Sequence, residues 1–267
     1  MENYISYSEL KDWYLCAYHH KLKHIDDPGT FNGNIFTAFG TALHHVCETK
    51  LFESVEEKQK VFSEQLRSKL DELKIDVEQK EFNTFETQGK NIIPYILPEL
   101  QKQFGNFEIV SAEEQLYEPI KEFLLAEYSF KGFIDLIIKT EDGKYHIIDW
   151  KTCSWGWDLE KKSDRMVFSQ LLLYKHFFAQ KQNIDLKNID TYFILLKRTA
   201  KKDNVEIFRV TSGPKRMQDS ITLLKNALSN IHNKKYIKNR LNCSKCEFRS
   251  EEHTSELQSL RHLVCRL

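Results

Sequence analysis

Two aspartates and a lysine, set in strand-like apolar stretches, are the residues of this chain that could do the most specific chemistry. Asp135 closes Phe130-Lys131-Gly132-Phe133-Ile134-Asp135, and Asp149 closes Ile147-Ile148-Asp149 just before Trp150 and Lys151. The turn Glu141-Asp142-Gly143 between them predicts an antiparallel hairpin, which brings both carboxylates to one rim of a sheet. Hard oxygen ligands of this kind suit Mg²⁺ or Mn²⁺, which keep several waters and accept phosphate oxygens as further ligands. Lys151 stands two residues beyond Asp149 and so projects from the same strand face. Its ammonium could orient an attacking water and offset charge on a phosphoryl group. The plainer alternative for Asp-x-Lys at a strand end is a solvated turn. Asp135 is harder to dismiss, because a carboxylate amid Phe133, Ile134, Leu136, Ile137 and Ile138 pays heavy desolvation unless paired, metal-bound or at the sheet's edge.

Two helical segments add polar pairs at four-residue spacing. Gln170 and Tyr174 share a face of a helix expected from Arg165 to about Gln182, where they could hold a phosphate or a nucleobase. Tyr174 could equally be a core residue with its hydroxyl at the surface. His44 and Glu48 share a face of a helix expected over about Ile35 to Phe52; a helix-surface hydrogen bond is the alternative there. Of the six cysteines, at 16, 47, 153, 243, 246 and 265, only Cys243-Ser244-Lys245-Cys246 has ligand spacing. Cys47 and Cys153 read as small buried hydrophobes.

The elements that must position these groups follow from pattern. Ser6 to Glu9 has capping-box spacing, with Leu10, Trp13 and Tyr14 following at helical intervals, so a short helix opens the chain. The Asp27-Pro28-Gly29 turn and Gly33 separate it from the helix carrying His44. Segments 55–74 and 78–103 are rich in Glu, Lys, Gln and Leu and predict two more helices, Pro94 and Pro98 kinking or ending the second. After Gly105-Asn106 come strands at 107–118, 121–139 (broken near Gly132) and 144–150, read as an antiparallel meander. The Arg165 helix follows, then strands 189–197 and 204–211, then a helix from Pro214 to about His232 with proline in its first turn. The order gives an α/β core with an N-terminal helical annex. The expected organisation is a helical region over 1–104, carrying His44 and Cys16, and a core with the cysteine pair over 105–248.

Composition sets the outer bounds. A chain of 267 residues, 41% hydrophobic and 29% charged, has the make-up of an ordinary soluble protein. No apolar run approaches the roughly 20 residues of a membrane-spanning helix, and the start lacks a signal-peptide pattern, so a cytoplasmic location is expected. Net charge is zero, yet residues 187–240 carry 13 Lys or Arg against 4 Asp or Glu. Such a segment attracts a phosphate backbone, though a solvated helix face explains most charge runs.

Gly40-Thr41-x-x-His44, Gly132-x-x-Asp135, Asp149-x-Lys151 and Gln170-x-x-x-Tyr174, in that order, are similar to the motifs of the RecB-type branch of the PD-(D/E)XK nuclease superfamily. The branch includes CRISPR-adaptation exonucleases and many small phage nucleases, and the likeness covers residues 4–248. It implies a restriction-endonuclease-like core, a central mixed sheet flanked by helices. It implies that His44, Asp135, Asp149 and the Trp150 backbone carbonyl surround the metal, with Lys151 as catalytic lysine and His44 preferred over His45. Glu113 or Glu114 is an outer-shell acid on this reading, and Glu48 joins them. The implied activity is metal-dependent hydrolysis of DNA, by an exonuclease acting on single strands or duplex ends and leaving a 5′-phosphate and a 3′-hydroxyl. The motifs do not separate work alone from work beside a helicase or recombination partner or in phage DNA processing. The competing reading is a non-catalytic nucleic-acid-binding or scaffold protein that keeps the fold; an intact Asp-x-Lys argues against it, because binding alone needs no carboxylates beside a phosphate. A zinc-dependent regulator would rest on Cys243 and Cys246 alone.

Several members of that branch hold an iron-sulfur cluster on one N-terminal and three C-terminal cysteines. Cys16, in Trp13-Tyr14-Leu15-Cys16, stands where the first would be, and Cys243-x-x-Cys246-x-Phe248 resembles the start of the C-terminal set. The resemblance therefore implies a [4Fe-4S] cluster on Cys16, Cys243, Cys246 and a fourth cysteine that is missing here. Its place falls where residues 249–267 begin. That tail is similar to a translated frame of a common sequencing adapter, with Leu260 and Arg261 where a variable index would lie. The natural chain is accordingly expected to depart from this sequence near Phe248, which removes His253 and Cys265 as ligands.

Overall fold

The computed structural model describes residues 3–26, 33–246 and 248. The Asp27-Pro28-Gly29 turn and the tail 249–267 lie outside the described residues. In chain order the elements are β1 (Tyr4–Ser6), α1 (Tyr7–Leu15), α2 (Ala17–Lys21), a π-helical turn (Leu22–Asp26), α3 (Ile35–Thr49), α4 (Val55–Glu72) and α5 (Gln79–Phe104). Then follow β2 (Phe107–Pro119), β3 (Ser129–Thr140), β4 (Tyr145–Cys153), α6 (Leu159–Ser163), α7 (Arg165–Gln182), β5 (Ile189–Lys197), β6 (Val205–Val210) and α8 (Pro214–His232). Contacts divide the chain into two compact units, one of Met1–Thr30, Pro119–Ser129 and Ile221–Leu267, the other of Phe31–Glu118 and Phe130–Ser220. Among the described residues no helix is long and apolar enough to cross a membrane.

The larger unit is built on a mixed sheet in which β3, β4, β5 and β6 are successive neighbours and β2 pairs with β3. The predicted hairpin is present: β3 and β4 run antiparallel, with Leu136 opposite Ile148 and Lys139 opposite Tyr145. β5 then lies parallel to β4, a pairing that needs a long crossover, supplied by α6 and α7. Central strands of this kind are covered on both faces, so they read as apolar runs. β5 fits, with eight of its nine residues buried. One core cluster joins Phe39, Phe62, Ile92 and Ile96 of the helices to Leu136, Ile148, Trp150 and Ile194 of the sheet.

Two expectations need correction. The strand expected over 121–139 with a break near Gly132 is instead a continuous strand from Ser129 to Thr140, preceded by turns. The weakness of glycine as a strand former does not interrupt it. The helix of 78–103 does not end at its prolines either: Pro94 and Pro98 both lie inside α5. Proline 94 leaves the Lys90 carbonyl without its helical donor, and the Gln59 side-chain amide of α4 donates to that carbonyl at 2.9 Å instead. Tertiary packing thus replaces the lost bond.

The smaller unit shows the predicted capping box: Ser6 Oγ accepts from Glu9 N, and the Glu9 carboxylate accepts from Ser6 N. Cys16 caps α2, its sulfur accepting from His19 N at 3.5 Å and from Asn239 N at 3.3 Å. Asn239 and Asn242 both donate to the Leu15 carbonyl. Two ends of the sequence are stitched together around one cysteine.

Close packing of α4 on α5 depends on Gly89, where a β-carbon would meet the Phe62 ring at 2.2 Å. Phe62 is completely buried and has little room to withdraw. Gly89→Ala should destabilise the fold by about 1–3 kcal/mol, lowering Tm by about 2–4 °C per kcal/mol; an unchanged melting curve would contradict this packing.

Candidate active site

Of the predicted metal-site residues, His44, Asp135 and Trp150 meet in a cleft of the larger unit with a volume of about 600 Å³, lined also by Phe36, Gly40, Glu48, Glu113, Phe133 and Lys151, whereas Asp149 does not line it. α3 supplies one wall because Phe36, Gly40, His44 and Glu48 recur every four residues and share a stripe. Its start is fixed by a capping box between Asn34 and Thr37. Gly40 sits close to the end of β4: a β-carbon there would lie 3.2 Å from Thr152 Oγ1. The motif glycine therefore lets α3 ride low over the strand that carries the acids.

β3 and β4 supply the floor. One step beyond the Leu136–Ile148 pair stand Asp135 and Asp149. Asp135 Oδ2 accepts a 2.8 Å bond from the Trp150 amide and lies 3.6 Å from His44 Nδ1, while Glu48 Oε1 lies 4.0 Å from that nitrogen. His44, Glu48 and Asp135 offer ligand atoms that all lie within 4.8 Å of one another. Asp149 is fully buried, with Lys151 Nζ 2.6 Å from its Oδ2.

The electrostatics follow from removing these groups from water. Burial pushes the Asp149 and Asp135 carboxyls up to about 6, against the pull of Lys151 in both cases. Burial, reinforced by Asp135 and Glu113, lifts Glu48 to about 8. Burial lowers His44 to about 4, which leaves its imidazole neutral and able to ligate at neutral pH. The carboxyl groups of Asp135, Glu48 and Glu113 thus line the cleft together with Lys151, and that of Asp149 is buried behind them within reach of the same ammonium. A divalent cation with oxygen and imidazole ligands fits this donor set.

Glu113 and Glu114, equivalent in the sequence, are separated by the structure. The alternation of β2 slips at Ser111 and Ala112, which are both half-buried, and Glu113 carries a left-handed φ of 51°. That conformation is uncommon for a residue with a β-carbon. It accompanies a Glu113 that lines the cleft, while Glu114 bonds Ser111 and Lys181. Gln170 and Tyr174 do not line the cleft. The Tyr174 ring is buried against Phe130, and Gln170 Nε2 donates to its hydroxyl at 3.4 Å. Gly132 makes room for that ring, since a β-carbon would stand 2.8 Å from Tyr174 Cε1. Burial and the neighbouring Asp149 and Asp135 raise the Tyr174 hydroxyl pKa. Sequence reasoning missed Phe36 and Phe133; exposed aromatics in otherwise apolar segments carry no signal until the cleft exists. Cys16, His19, Cys243 and Cys246 line one separate pocket in the smaller unit.

β4 runs on to Cys153, so the acid and the lysine expected at a strand end lie within it. A mixed sheet flanked by helices, with acid and lysine on a central strand, defines a restriction-endonuclease-like nuclease fold. The family model of the PD-(D/E)XK nuclease superfamily matches residues 4–250, and the chain belongs to that superfamily. The crystal structure of a "Putative exonuclease" from Eubacterium rectale is similar over 90% of this chain and 85% of that one, with 13% identity and a TM-score of 0.57. At that identity the likeness speaks for the fold. The structure of SSO0001 aligns over 91% of this chain and 93% of that one at 15% identity, but its TM-score of 0.38 carries no argument. Among curated proteins no sequence matches the chain.

Raised acid pKa values mean that the folded protein holds protons the unfolded chain has already released. Asp149, Asp135 and Glu48 therefore contribute a loss of stability as pH rises from about 4 to about 8. Below about 6.5 this is opposed by His44, whose lowered pKa acts in the other sense, so the net loss is clearest above that point, where Glu48 still holds its proton. Metal-free protein should melt lower at pH 8 than at pH 5. Asp149→Asn should recover on the order of 1–3 kcal/mol at the higher pH; thermal denaturation in a chelator checks both, and a variant that melts lower than the parent at pH 8 would refute the account.

Proposed function

We infer that this protein is a Mg²⁺- or Mn²⁺-dependent deoxyribonuclease, an exonuclease that processes single-stranded DNA or DNA ends. The observation that carries the reading is the Asp149–Lys151 pair at 2.6 Å in the same unit as the His44, Glu48 and Asp135 cluster. His44, Asp135, Asp149 and the Trp150 carbonyl would hold the cation, with Glu48 beside them and Glu113 in the outer shell. When bound, the cation supplies Lewis-acid stabilisation of charge on the phosphoryl oxygens.

The chain's own groups do the rest. Lys151 holds its proton at Nζ and donates toward the attacking water and a phosphoryl oxygen, and Asp149 fixes the ammonium in place. The Trp150 amide holds Asp135 in register, and neutral His44 adds a donor atom without adding positive charge. Tyr174, held by Gln170, lies within electrostatic reach of Asp149. Water attacks phosphorus, the bond to the 3′-oxygen breaks, and the products are a 5′-phosphate and a 3′-hydroxyl.

Labelled single- and double-stranded DNA, incubated with and without Mn²⁺, tests this directly. Asp149→Ala and Lys151→Ala should each lower cleavage by about 100-fold or more while retaining DNA binding. Cleavage undiminished in both variants would place the chemistry elsewhere. Binding without cleavage by the parent would favour the non-catalytic alternative.

Cys16, Cys243 and Cys246 are the residues that would hold the [4Fe-4S] cluster, and their common pocket supports that reading. The cluster would tie the ends of the smaller unit together and supply structure rather than chemistry. The fourth cysteine of that set is missing from this sequence. Protein in which a cysteine is supplied after Phe248 to complete the set, purified without oxygen, should carry iron and sulfide and absorb visible light; colourless, zinc-loaded protein would refute it.

A further inference from the structure

Phe36 is an apolar side chain that the fold leaves open at a functional cleft. It is 55% exposed and lines the same cleft as His44, Glu48 and Asp135. It is nevertheless held in place: Phe85 packs against it edge-on at 5.4 Å, and the Arg198 guanidinium lies 4.9 Å from its ring centre. Arg198 is equally fixed. Its Nη1 donates to Gln88 Oε1 at 2.8 Å and its Nη2 to Ser154 Oγ at 3.1 Å, its carbon lies 4.6 Å from the Phe85 ring centre, and its backbone amide donates to the Cys153 carbonyl.

Both of those side-chain acceptors are neutral. Among the described residues no carboxylate forms an ion pair with Arg198, although a guanidinium has five N–H donors and carries its charge at any physiological pH. A rigid, half-open ring beside an uncompensated, pre-oriented guanidinium matches a nucleotide, whose base offers a π-face and whose phosphate offers a bidentate acceptor.

We propose that Phe36 and Arg198 form a nucleotide-holding subsite of the cleft, in which Phe36 stacks on an unpaired base and Arg198 binds the adjoining phosphate. The subsite rests on the nuclease reading for its place beside the reaction. It narrows the substrate to a single strand or frayed end, because both faces of a base inside a duplex are already covered.

Binding in a chelator, where nothing is cut, separates the two ideas. Single-stranded oligonucleotides carrying 2-aminopurine at successive positions should show quenching on binding to the parent protein. Phe36→Ala should abolish the quenching at one position and weaken binding about tenfold, whereas Phe36→Trp keeps the affinity. On a fully abasic strand Phe36→Ala should have no effect, which a merely structural role for the ring would not produce. Arg198→Gln should lower the slope of log affinity against log salt by about 0.7, the loss of one phosphate contact on a single strand. Thermal melts identify any variant that fails to fold, and Phe36→Leu then takes the place of the alanine variant.

Unchanged quenching in Phe36→Ala, an equal loss on the abasic strand, or an unchanged salt slope in Arg198→Gln would overturn the subsite. A parent protein that stacks and binds the strand but never cuts it with Mn²⁺ would sink the nuclease reading and leave the subsite standing. Cutting by the parent with indifferent variants would do the reverse, and a parent that binds no strand would overturn both.

Discussion

A set of acids held out of water around the middle of β4 is the constraint on which the larger unit depends. Asp149 is fully buried, Asp135 and Glu48 sit beside it, and their raised pKa values show that the fold by itself does not stabilise them all in ionised form. Such a cluster persists only when surrounding structure over-determines it. Trp150 does so twice, its indole anchored in the core and its amide bonded to Asp135. The residue that fills the core also aims the acid.

The neighbouring elements are adapted to that cluster rather than to generic stability. α3 approaches the strand end through Gly40, and Gly132 clears space for the Tyr174 ring. Glu113 holds an unfavourable backbone angle whose cost, of order 1–3 kcal/mol, is offset by the rest of the sheet. Unstable charge and strained backbone converge on one cleft, a pattern characteristic of functional sites.

Much of this was legible in advance because it is local. The hairpin of β3 and β4 follows from Glu141-Asp142-Gly143 between apolar runs, α7 matches its expected bounds of Arg165 and Gln182, and the period of a strand puts Lys151 on the face of Asp149. Where the reading failed, a distant partner had overridden a local rule. Pro94 did not end α5 because Gln59, 31 residues before Lys90, supplies a donor to the Lys90 carbonyl, and Gly132 did not break β3, which runs from Ser129 to Thr140.

By itself the sequence determined the element order, the superfamily motifs and the shared strand face of Asp149 and Lys151, since these depend on composition, spacing and side-chain periodicity. Only the tertiary structure decided that Glu48 joins His44 and Asp135, that Glu113 rather than Glu114 faces the cleft, that Tyr174 lies within electrostatic reach of Asp149, and that Phe36 meets Arg198. Those relations depend on how closely helices approach the sheet and on a slip in the alternation of β2. Both are set by the packing of side chains far apart in the chain, which no local window of sequence contains.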